Sequence, residues 1–172
     1  MIMNITQTSR LKLRHINTDD AEFMLGLLND PAFMRFVGDK QVRDLESAKN
    51  YILEGPVTSY QTYGHGLYLI ELIEDNAPIG MCGILKREFL DYFPELGYAL
   101  MPEYYGCGYA LEAAEATLEL AREEFQLSRL VAITASDNKR SIKLLEKLGM
   151  LFVKKIELPS GGEEIKLYSC DL

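Results

Sequence analysis

The sequence predicts an α/β domain built on a mixed sheet, and three observations support this class. Apolar runs that alternate or continue unbroken predict strands, and runs with apolar residues three and four apart predict helices. Strands and helices follow one another without repeats or low-complexity tracts. The 172 residues, 48% of them hydrophobic, suffice for one buried core. We therefore expect a single domain over residues 1–172, with the element order βααβββαβαββ.

The first third of the chain is predicted to form one strand and two helices. Residues 10–15 alternate apolar and basic side chains as a strand does, and Asn17 or Thr18 can cap the helix that follows. Asp44 can cap a second helix that continues through Leu53. The expected breaks around this segment are Pro31 and the pair Gly55-Pro56.

The rest of the chain predicts more strands and two further helices. The expected strands are residues 67–73, 78–85, 95–100 and 130–135, followed by a hairpin of residues 151–158 and 164–170 around Ser160-Gly161-Gly162. The expected helices run from Gly108 to about Phe125 and from Asn138 to Leu148, the second ending at Gly149. Each of these helices follows a strand, as an α/β architecture requires.

Composition and charge exclude several classes of partner. A formal charge of −8 argues against nucleic acid, whose phosphates need a basic face, and suits cationic substrates, although solubility alone also explains it. Neither a leader in residues 1–10 nor an apolar run of roughly 20 residues is present, so we expect a cytoplasmic protein without a membrane partner. The scattered Cys82, Cys107 and Cys170 predict neither a disulfide nor a metal site.

The most informative motif is the pair of glycines at Gly106 and Gly108. They stand between a strand-like run and a long helix, where a turning backbone can direct free N–H groups at a ligand near the positive end of the helix dipole. This arrangement predicts a site for a pyrophosphate. A Rossmann nucleotide site is disfavoured, because Leu111 stands where a third glycine or alanine is needed and because the motif lies in mid-chain.

With this element order, the chain resembles the GNAT superfamily of acyl-CoA-dependent N-acetyltransferases, and within it the RimJ/RimL-like branch of ribosomal-protein N-terminal acetyltransferases. The segments that carry the resemblance are residues 8–14, residues 95–113 and residues 138–150. The resemblance implies a sheet with splayed strands that bind acyl-CoA, and acetyl-CoA as co-substrate without a metal. The acyl acceptor is not specified by these segments, and a homodimer is left open.

The resemblance also implies the coenzyme contacts. Backbone N–H groups from Gly106 through Cys107, Gly108 and Tyr109 to Ala110 would bind the pyrophosphate. Leu100 and Met101, at the end of the splayed strand, would pair with pantetheine. Asn138 could itself cap the helix, as could Ser136 or Asp137, and the resemblance implies that Asn138 binds pantetheine as well. The basic residues that could reach the ribose phosphate are Lys139, Arg140, Lys143 and Lys147.

Catalysis requires a base for the ammonium of the acceptor and stabilisation of the departing thiolate. Glu95, at the start of the splayed strand, is the candidate base, acting directly or through water. The family position of a tyrosine acid is Leu145 here, so Ser141, on the same helix face as Asn138, is the candidate that stabilises the thiolate. Tyr104 and Tyr109 are weaker substitutes.

Two further residues provide alternatives. Cys107 could form an acyl-enzyme, although no histidine is evident beside it. His65 could serve the acceptor or be an exposed loop residue. We expect direct transfer of an acetyl group from acetyl-CoA to a primary amine in a ternary complex, the amine being a protein N-terminus or a small molecule. The alternative is an acyl-CoA-binding sensor that has lost catalysis.

Overall fold

The protein is built around one mixed sheet. The computed structural model describes residues 3–91 and 93–172; Met1 and Ile2, which belong to the segment searched for a leader, lie outside the described residues. The strands are Asn4–Gln7 (β1), Leu11–His15 (β2), Leu67–Leu72 (β3), Pro78–Lys86 (β4), Pro94–Leu100 (β5), Arg129–Ala135 (β6), Leu151–Ile156 (β7) and Ile165–Asp171 (β8). The helices are Ala21–Leu28 (α1), Pro31–Phe36 (α2), Leu45–Ile52 (α3), Thr58–Tyr63 (α4), Tyr109–Glu123 (α5) and Lys139–Lys147 (α6).

The strand order in the sheet is β1-β2-β3-β4-β5-β6-β8-β7. Neighbouring strands are antiparallel, except that β5 and β6 are parallel. Helix α5 provides the long crossover connection that a parallel pair needs. The α/β fold class and the mixed sheet are therefore confirmed.

Each face of the sheet is covered by its own apolar cluster. On one face, α5 and α6 contribute residues such as Ala114, Ala121 and Leu145, which are fully buried. On the other face, α1, α2 and α3 cover the sheet with residues such as Met24 and Ile52. Burial of these side chains is the main favourable contribution to folding. It also fixes α2 and α6 beside the junction of β5 and β6.

The N-terminal region differs from the predicted order in having an additional strand, β1, paired with β2. Its four residues, Asn-Ile-Thr-Gln, are short, half-polar and at most partly buried, so no apolar pattern marks them as a strand. Asn17 does cap the following turn and Asp44 caps α3, each with its side chain accepting from the backbone, as predicted. Pro31 begins a helix, α2, which Asp30 caps.

The pair Gly55-Pro56 does not break the chain, and this prediction was wrong. A π-helical turn over Leu53–Val57 continues α3 into α4, with Pro56 buried inside it. Wider turns of this kind accommodate a residue that lacks an N–H donor, and the Thr58 hydroxyl donates to the Leu53 carbonyl at 2.7 Å. The helical segment ends at Gly64, which has a φ of 77°.

Candidate active site

A groove opens where β5 and β6 separate. The two strands share one parallel register position, Glu95 beside Val131, and no further pairing joins them in the part of the chain that the structure describes. Met101 donates its N–H to Ile79 in β4 at 2.8 Å. Because backbone groups alternate sides along a strand, those of Tyr98 and Leu100 face the groove.

This pattern affects the two residues expected to bind pantetheine. Leu100 lines the groove. Both backbone groups of Met101 are occupied, since its carbonyl accepts from the Tyr104 N–H at 3.0 Å, and its side chain joins the apolar cluster beneath α1 to α3. Met101 therefore offers no free N–H to a ligand, and the backbone groups that face the groove here are those of Tyr98 and Leu100.

One end of the groove is formed by the glycine loop. Gly106 and Gly108 have φ angles of 75° and 82°, which L side chains rarely adopt. Among the described residues, no acceptor bonds the N–H groups of residues 106–111, and the first intrahelical bond runs from the Glu112 N–H to the Gly108 carbonyl. The loop thus directs a run of free N–H donors, at the start of a 15-residue helix, into the groove.

Arg10, from the turn between β1 and β2, fixes this loop from outside. Its guanidinium donates to the Cys107 carbonyl at 2.9 Å and to the Glu112 carboxylate at 2.7 Å, and it lies 4.5 Å from the centre of the Tyr109 ring. The Thr8 hydroxyl also donates to Glu112 at 2.6 Å. The loop conformation is therefore tied to the N-terminal hairpin.

Basic side chains of α6 flank the same end. Arg140, Lys143 and Lys147 line the groove together with the glycine loop, whereas Lys139 is exposed and outside that lining. The Arg140 guanidinium lies 4.0 Å from the centre of the Tyr105 ring. This end combines free N–H donors with cationic side chains, which is the chemistry that binds phosphate groups.

Asn138 lies between the two ends of the groove and is the residue, of the three candidates, that caps α6. Its side-chain carbonyl caps α6 by accepting from the Ser141 N–H at 3.2 Å. Neither alternative cap is in place, because Ser136 donates to the Glu164 carbonyl and Asp137 is bound by Arg35. The Asn138 amide NH₂ is still free to donate into the groove that the residue lines.

Ser141 is hydrogen-bonded to Tyr98, and this pair lies at the middle of the groove. Burial raises the pKa of Tyr98 to about 12, so the phenol is neutral at physiological pH. Leu145 is fully buried in the core, and Tyr104 and Tyr109 border the glycine-loop end. Sequence reasoning missed Tyr98. Its position in the splayed strand, three residues beyond Glu95, was the available signal.

The other end of the groove contains Glu95, which is 3% exposed and accepts a hydrogen bond from Arg87 through one carboxylate oxygen. Glu95 is therefore a buried, ion-paired residue and not a solvated edge residue. Burial raises the pKa of Glu95, opposed by the charges of Arg87 and Lys40. Sequence reasoning also missed the residues around Glu95, which come from separated segments: Phe33, Phe36, Lys40, Tyr51 and Arg87.

The two alternative residues lie outside this arrangement. The Cys107 thiol is exposed, and both histidines are engaged elsewhere: His15 is stacked on Tyr60, and His65 lies against Phe125. His65 is buried and approaches the Ile84 carbonyl on the α5 side of the sheet. It is therefore neither an exposed loop histidine nor a residue of the groove.

Two observations concern the described residues as a whole. No helix in residues 3–91 and 93–172 is long and apolar enough to cross a membrane. Nor do three or more His, Cys, Asp or Glu side chains in those ranges come together as they would around a metal ion.

The chain is similar in sequence to two proteins of Bacillus subtilis. It is 30% identical over 151 residues to YkkB of Bacillus subtilis, covering 87% of this chain and 86% of YkkB. It is 27% identical over 164 residues to the N-acetyltransferase YnaD of the same organism, covering 94% of this chain and 91% of YnaD.

Solved structures of acetyltransferases have the same fold as this chain. An acetyltransferase of Agrobacterium tumefaciens superposes with a TM-score of 0.81 at 27% identity, over 99% of this chain and 95% of that one. RimL, a ribosomal L7/L12 alpha-N-protein acetyltransferase in complex with coenzyme A, shares the fold with a TM-score of 0.85 at 16% identity, over 98% of each chain. The model of the acetyltransferase (GNAT) domain matches residues 10–151. The chain thus belongs to the GNAT acetyltransferase family.

Proposed function

We propose that this protein transfers an acetyl group from acetyl-CoA to a primary amine, by direct transfer in a ternary complex. One observation carries the proposal: a single groove has free N–H donors and cations at one end and a buried carboxylate at the other. The linings of the three cavities along it overlap, through residues such as Tyr98, Leu100 and Ser141. Such a groove can hold a long anionic thioester and an amine at the same time.

The coenzyme would lie along the first two thirds of the groove. Its pyrophosphate accepts from the N–H groups of residues 106–110, with Arg140, Lys143 and Lys147 available for further phosphate oxygens. Its pantetheine amides pair with the backbone of Tyr98 and Leu100, as an added strand does, and with the Asn138 amide. Cys107 contributes only its backbone N–H, and Met101 contributes no free N–H.

The chemistry would take place between Glu95 and the Ser141–Tyr98 pair. Glu95 removes a proton from the acceptor ammonium, directly or through water, so that the nitrogen can form a bond to the acetyl carbon as the bond from that carbon to sulfur breaks. The Ser141–Tyr98 pair donates a hydrogen bond to the departing thiolate. The second proton of the nitrogen, which is lost as the amide forms, passes to that thiolate and gives the free thiol. Because burial raises the pKa of Glu95, it is a stronger base than a solvated glutamate.

Thr134 supports the presence of a ligand at this end of the groove. It is 6% exposed and borders the groove, and its hydroxyl has no hydrogen-bond partner among the described residues. Buried hydroxyls are nearly always hydrogen-bonded, so an unpartnered one beside a cavity favours a partner supplied by a bound molecule.

The rival function is a sensor that binds acyl-CoA without catalysis. The ion pair between Arg87 and Glu95 favours it, because a neighbouring cation weakens a carboxylate as a base, and so does the absence of a tyrosine at Leu145. The free second oxygen of Glu95 and the Ser141–Tyr98 pair favour the enzyme.

Release of free thiol from acetyl-CoA, measured over a panel of amines, distinguishes the two functions. The panel comprises amino acids, their amides, a polyamine, an aminoglycoside and peptides with free N-termini. An enzyme releases thiol only when an accepted amine is present and forms an equal amount of N-acetyl product. Tight binding of acetyl-CoA without amine-dependent release over the whole panel would establish the sensor.

A further inference from the structure

The acceptor end of the groove has two cations around one carboxylate, although the protein as a whole has a net charge of −8. We propose that the acceptor is an amine with a carboxylate close to it, as in an amino acid, held by Arg87 and Lys40. This inference rests on the proposed function and specifies its substrate class. It reverses the preference for polycationic acceptors that the overall charge suggests, because the local field decides which ligand binds in a cleft.

Arg87 has donors to spare. It uses Nε for Glu95, and in the described part of the chain neither of its two terminal nitrogens has a hydrogen-bond partner. The side chain is one-third exposed and lines the groove. The guanidinium is a rigid fork that matches the two oxygens of a carboxylate. Arg87 can therefore bind Glu95 and a ligand carboxylate together.

Lys40 is a second cation without a counter-charge of its own. It is half-buried in the lining, and no carboxylate within residues 3–91 or 93–172 lies within ion-pair distance of its ammonium. Burial lowers the pKa of Lys40, and the nearby charge of Arg87 lowers it further, opposed by the charge of Glu95. A ligand carboxylate would compensate both cations, because one carboxylate, Glu95, cannot neutralise two.

Glu95 completes a receptor for a zwitterion. One of its oxygens is bound by Arg87, and the other has no partner among the described residues and can accept from the acceptor ammonium. The Arg87–Glu95 pair thus presents a cation and an anion side by side. The carboxylate of one small molecule can meet Arg87 while its ammonium meets Glu95. Polyamines and aminoglycosides would bring additional ammonium groups against Lys40 and Arg87, which is unfavourable.

The test compares acceptors that differ only in the carboxylate. Rates of thiol release give kcat/KM for a set of amino acids and their amides, for example leucine and leucinamide, with spermidine as polycation. We expect each preferred amino acid to exceed its amide by roughly 10-fold to 100-fold, the value of one charge-assisted pair. The amide has the less basic amine, so this preference would appear despite a chemical advantage of the amide.

Three variants locate the preference. Arg87→Gln and Lys40→Met should each reduce the ratio of the amino-acid kcat/KM to the amide kcat/KM to a few-fold, because only the amino acid loses a contact. Any effect of Arg87→Gln on Glu95 is shared by both acceptors and cancels in this ratio. Arg129→Gln, which breaks an exposed ion pair with Asp171, should leave the ratio unchanged. If Arg87→Gln does not fold, Lys40→Met decides. The inference is overturned if amides or spermidine are acetylated with a kcat/KM equal to that of amino acids. It is also overturned if the preference for amino acids over amides survives in folded Arg87→Gln and Lys40→Met. If no amine at all is accepted, the proposed function fails with it.

Discussion

The two ends of the groove are built in different ways. The coenzyme end consists mainly of backbone N–H groups from one continuous loop, residues 106–111, flanked by one face of α6. The acceptor end consists of side chains from α2, the loop that follows it, α3, and the strands β4 and β5. In the proposed function, the first end would recognise groups common to every acyl-CoA, and the second would recognise a particular amine.

This difference indicates which end is free to vary. A site made of backbone N–H donors depends on φ angles and on glycine, so most side chains of the glycine loop can change without affecting it. The acceptor end depends on charges such as Lys40, Arg87 and Glu95, and one substitution there changes the ligand that fits. We expect variants at the coenzyme end to affect binding and variants at the acceptor end to affect turnover.

The largest expected effect is that of Gly108→Val, which would remove the coenzyme end. The φ of 82° is unfavourable for valine, and the new Cβ would approach an Arg10 nitrogen at 3.3 Å. The loop must then shift, and several charge-assisted hydrogen bonds of about 1.5–3 kcal/mol each are lost. Calorimetry should detect no acetyl-CoA binding by a protein that remains folded.

Gly161→Val is the matched control. Gly161 has a φ of 78° in the loop between β7 and β8, and nothing lies within 4 Å of a Cβ placed there. The Gly161→Val substitution imposes similar backbone strain outside the groove, so acetyl-CoA affinity should be kept. Unchanged acetyl-CoA affinity in a folded Gly108→Val variant would show that the glycine loop does not bind the coenzyme.

The acceptor end is tested by Glu95→Gln, with an expected loss of about 10²–10⁴-fold in kcat at neutral pH and unchanged acetyl-CoA affinity. Because burial raises the pKa of Glu95, the wild-type rate should fall on the acid side at a higher pH than for a solvated glutamate. The base acts when deprotonated, so activity is present above this pKa and lost below it. High pH should partly rescue the variant, since free amine then needs no base.

A pH–rate profile of both proteins with one accepted amine is the measurement. Asp171→Asn, which removes a carboxylate from an exposed ion pair, is the control and should follow the wild type. A Glu95 variant with the full neutral-pH rate would exclude Glu95 as the base.

The sequence predicts the conformation of the glycine loop well, because its determinants are contiguous. Gly106 and Gly108 are required by local conformation, and the strand before them and the helix after them are evident from apolar spacing. The strands β2 to β8 are predicted for the same reason, whereas β1 has no apolar pattern and is not. The sequence leaves open which of three neighbouring polar side chains caps α6, since this depends on whether partners such as Arg35 and Glu164 engage the others.

The acceptor end could not be predicted in the same way. Lys40, Arg87 and Glu95 meet only because α2 and the strands β4 and β5 come together in three dimensions. Their spacing along the chain has no period that a sequence pattern could reveal. The pair of Tyr98 and Ser141 is likewise formed across the groove, between residues 43 positions apart.

The pair of Tyr98 and Ser141 lies between the two ends of the groove, and we expect its variants to have a smaller effect on kcat than Glu95→Gln. Ser141→Ala and Tyr98→Phe should each lower kcat by about 10-fold to 100-fold while changing acetyl-CoA affinity little, because the hydrogen bond to sulfur strengthens only as the thiolate departs. The double variant should be little worse than either single variant, since both residues serve one donor chain. Tyr168→Phe, at a buried tyrosine of β8, is the control. Full turnover in both single variants would contradict the assignment.

The smallest expected effect concerns Arg10, which supports the coenzyme end without belonging to it. Arg10→Lys keeps the positive charge but loses the fork that joins the Cys107 carbonyl to the Glu112 carboxylate. The side chain is 46% exposed, so solvent screens the pair, and acetyl-CoA should bind only about 2-fold to 10-fold more weakly. Arg129→Lys, at a similarly exposed ion pair, should leave acetyl-CoA affinity unchanged.

A sharper measurement of the role of Arg10 uses S-acetylpantetheine, which lacks the pyrophosphate. If Arg10 acts by holding the glycine loop, kcat/KM for this short thioester is the same in wild type and variant, whereas that for acetyl-CoA falls. An equal loss with both thioesters would mean that Arg10 stabilises the domain generally and that the loop does not depend on it.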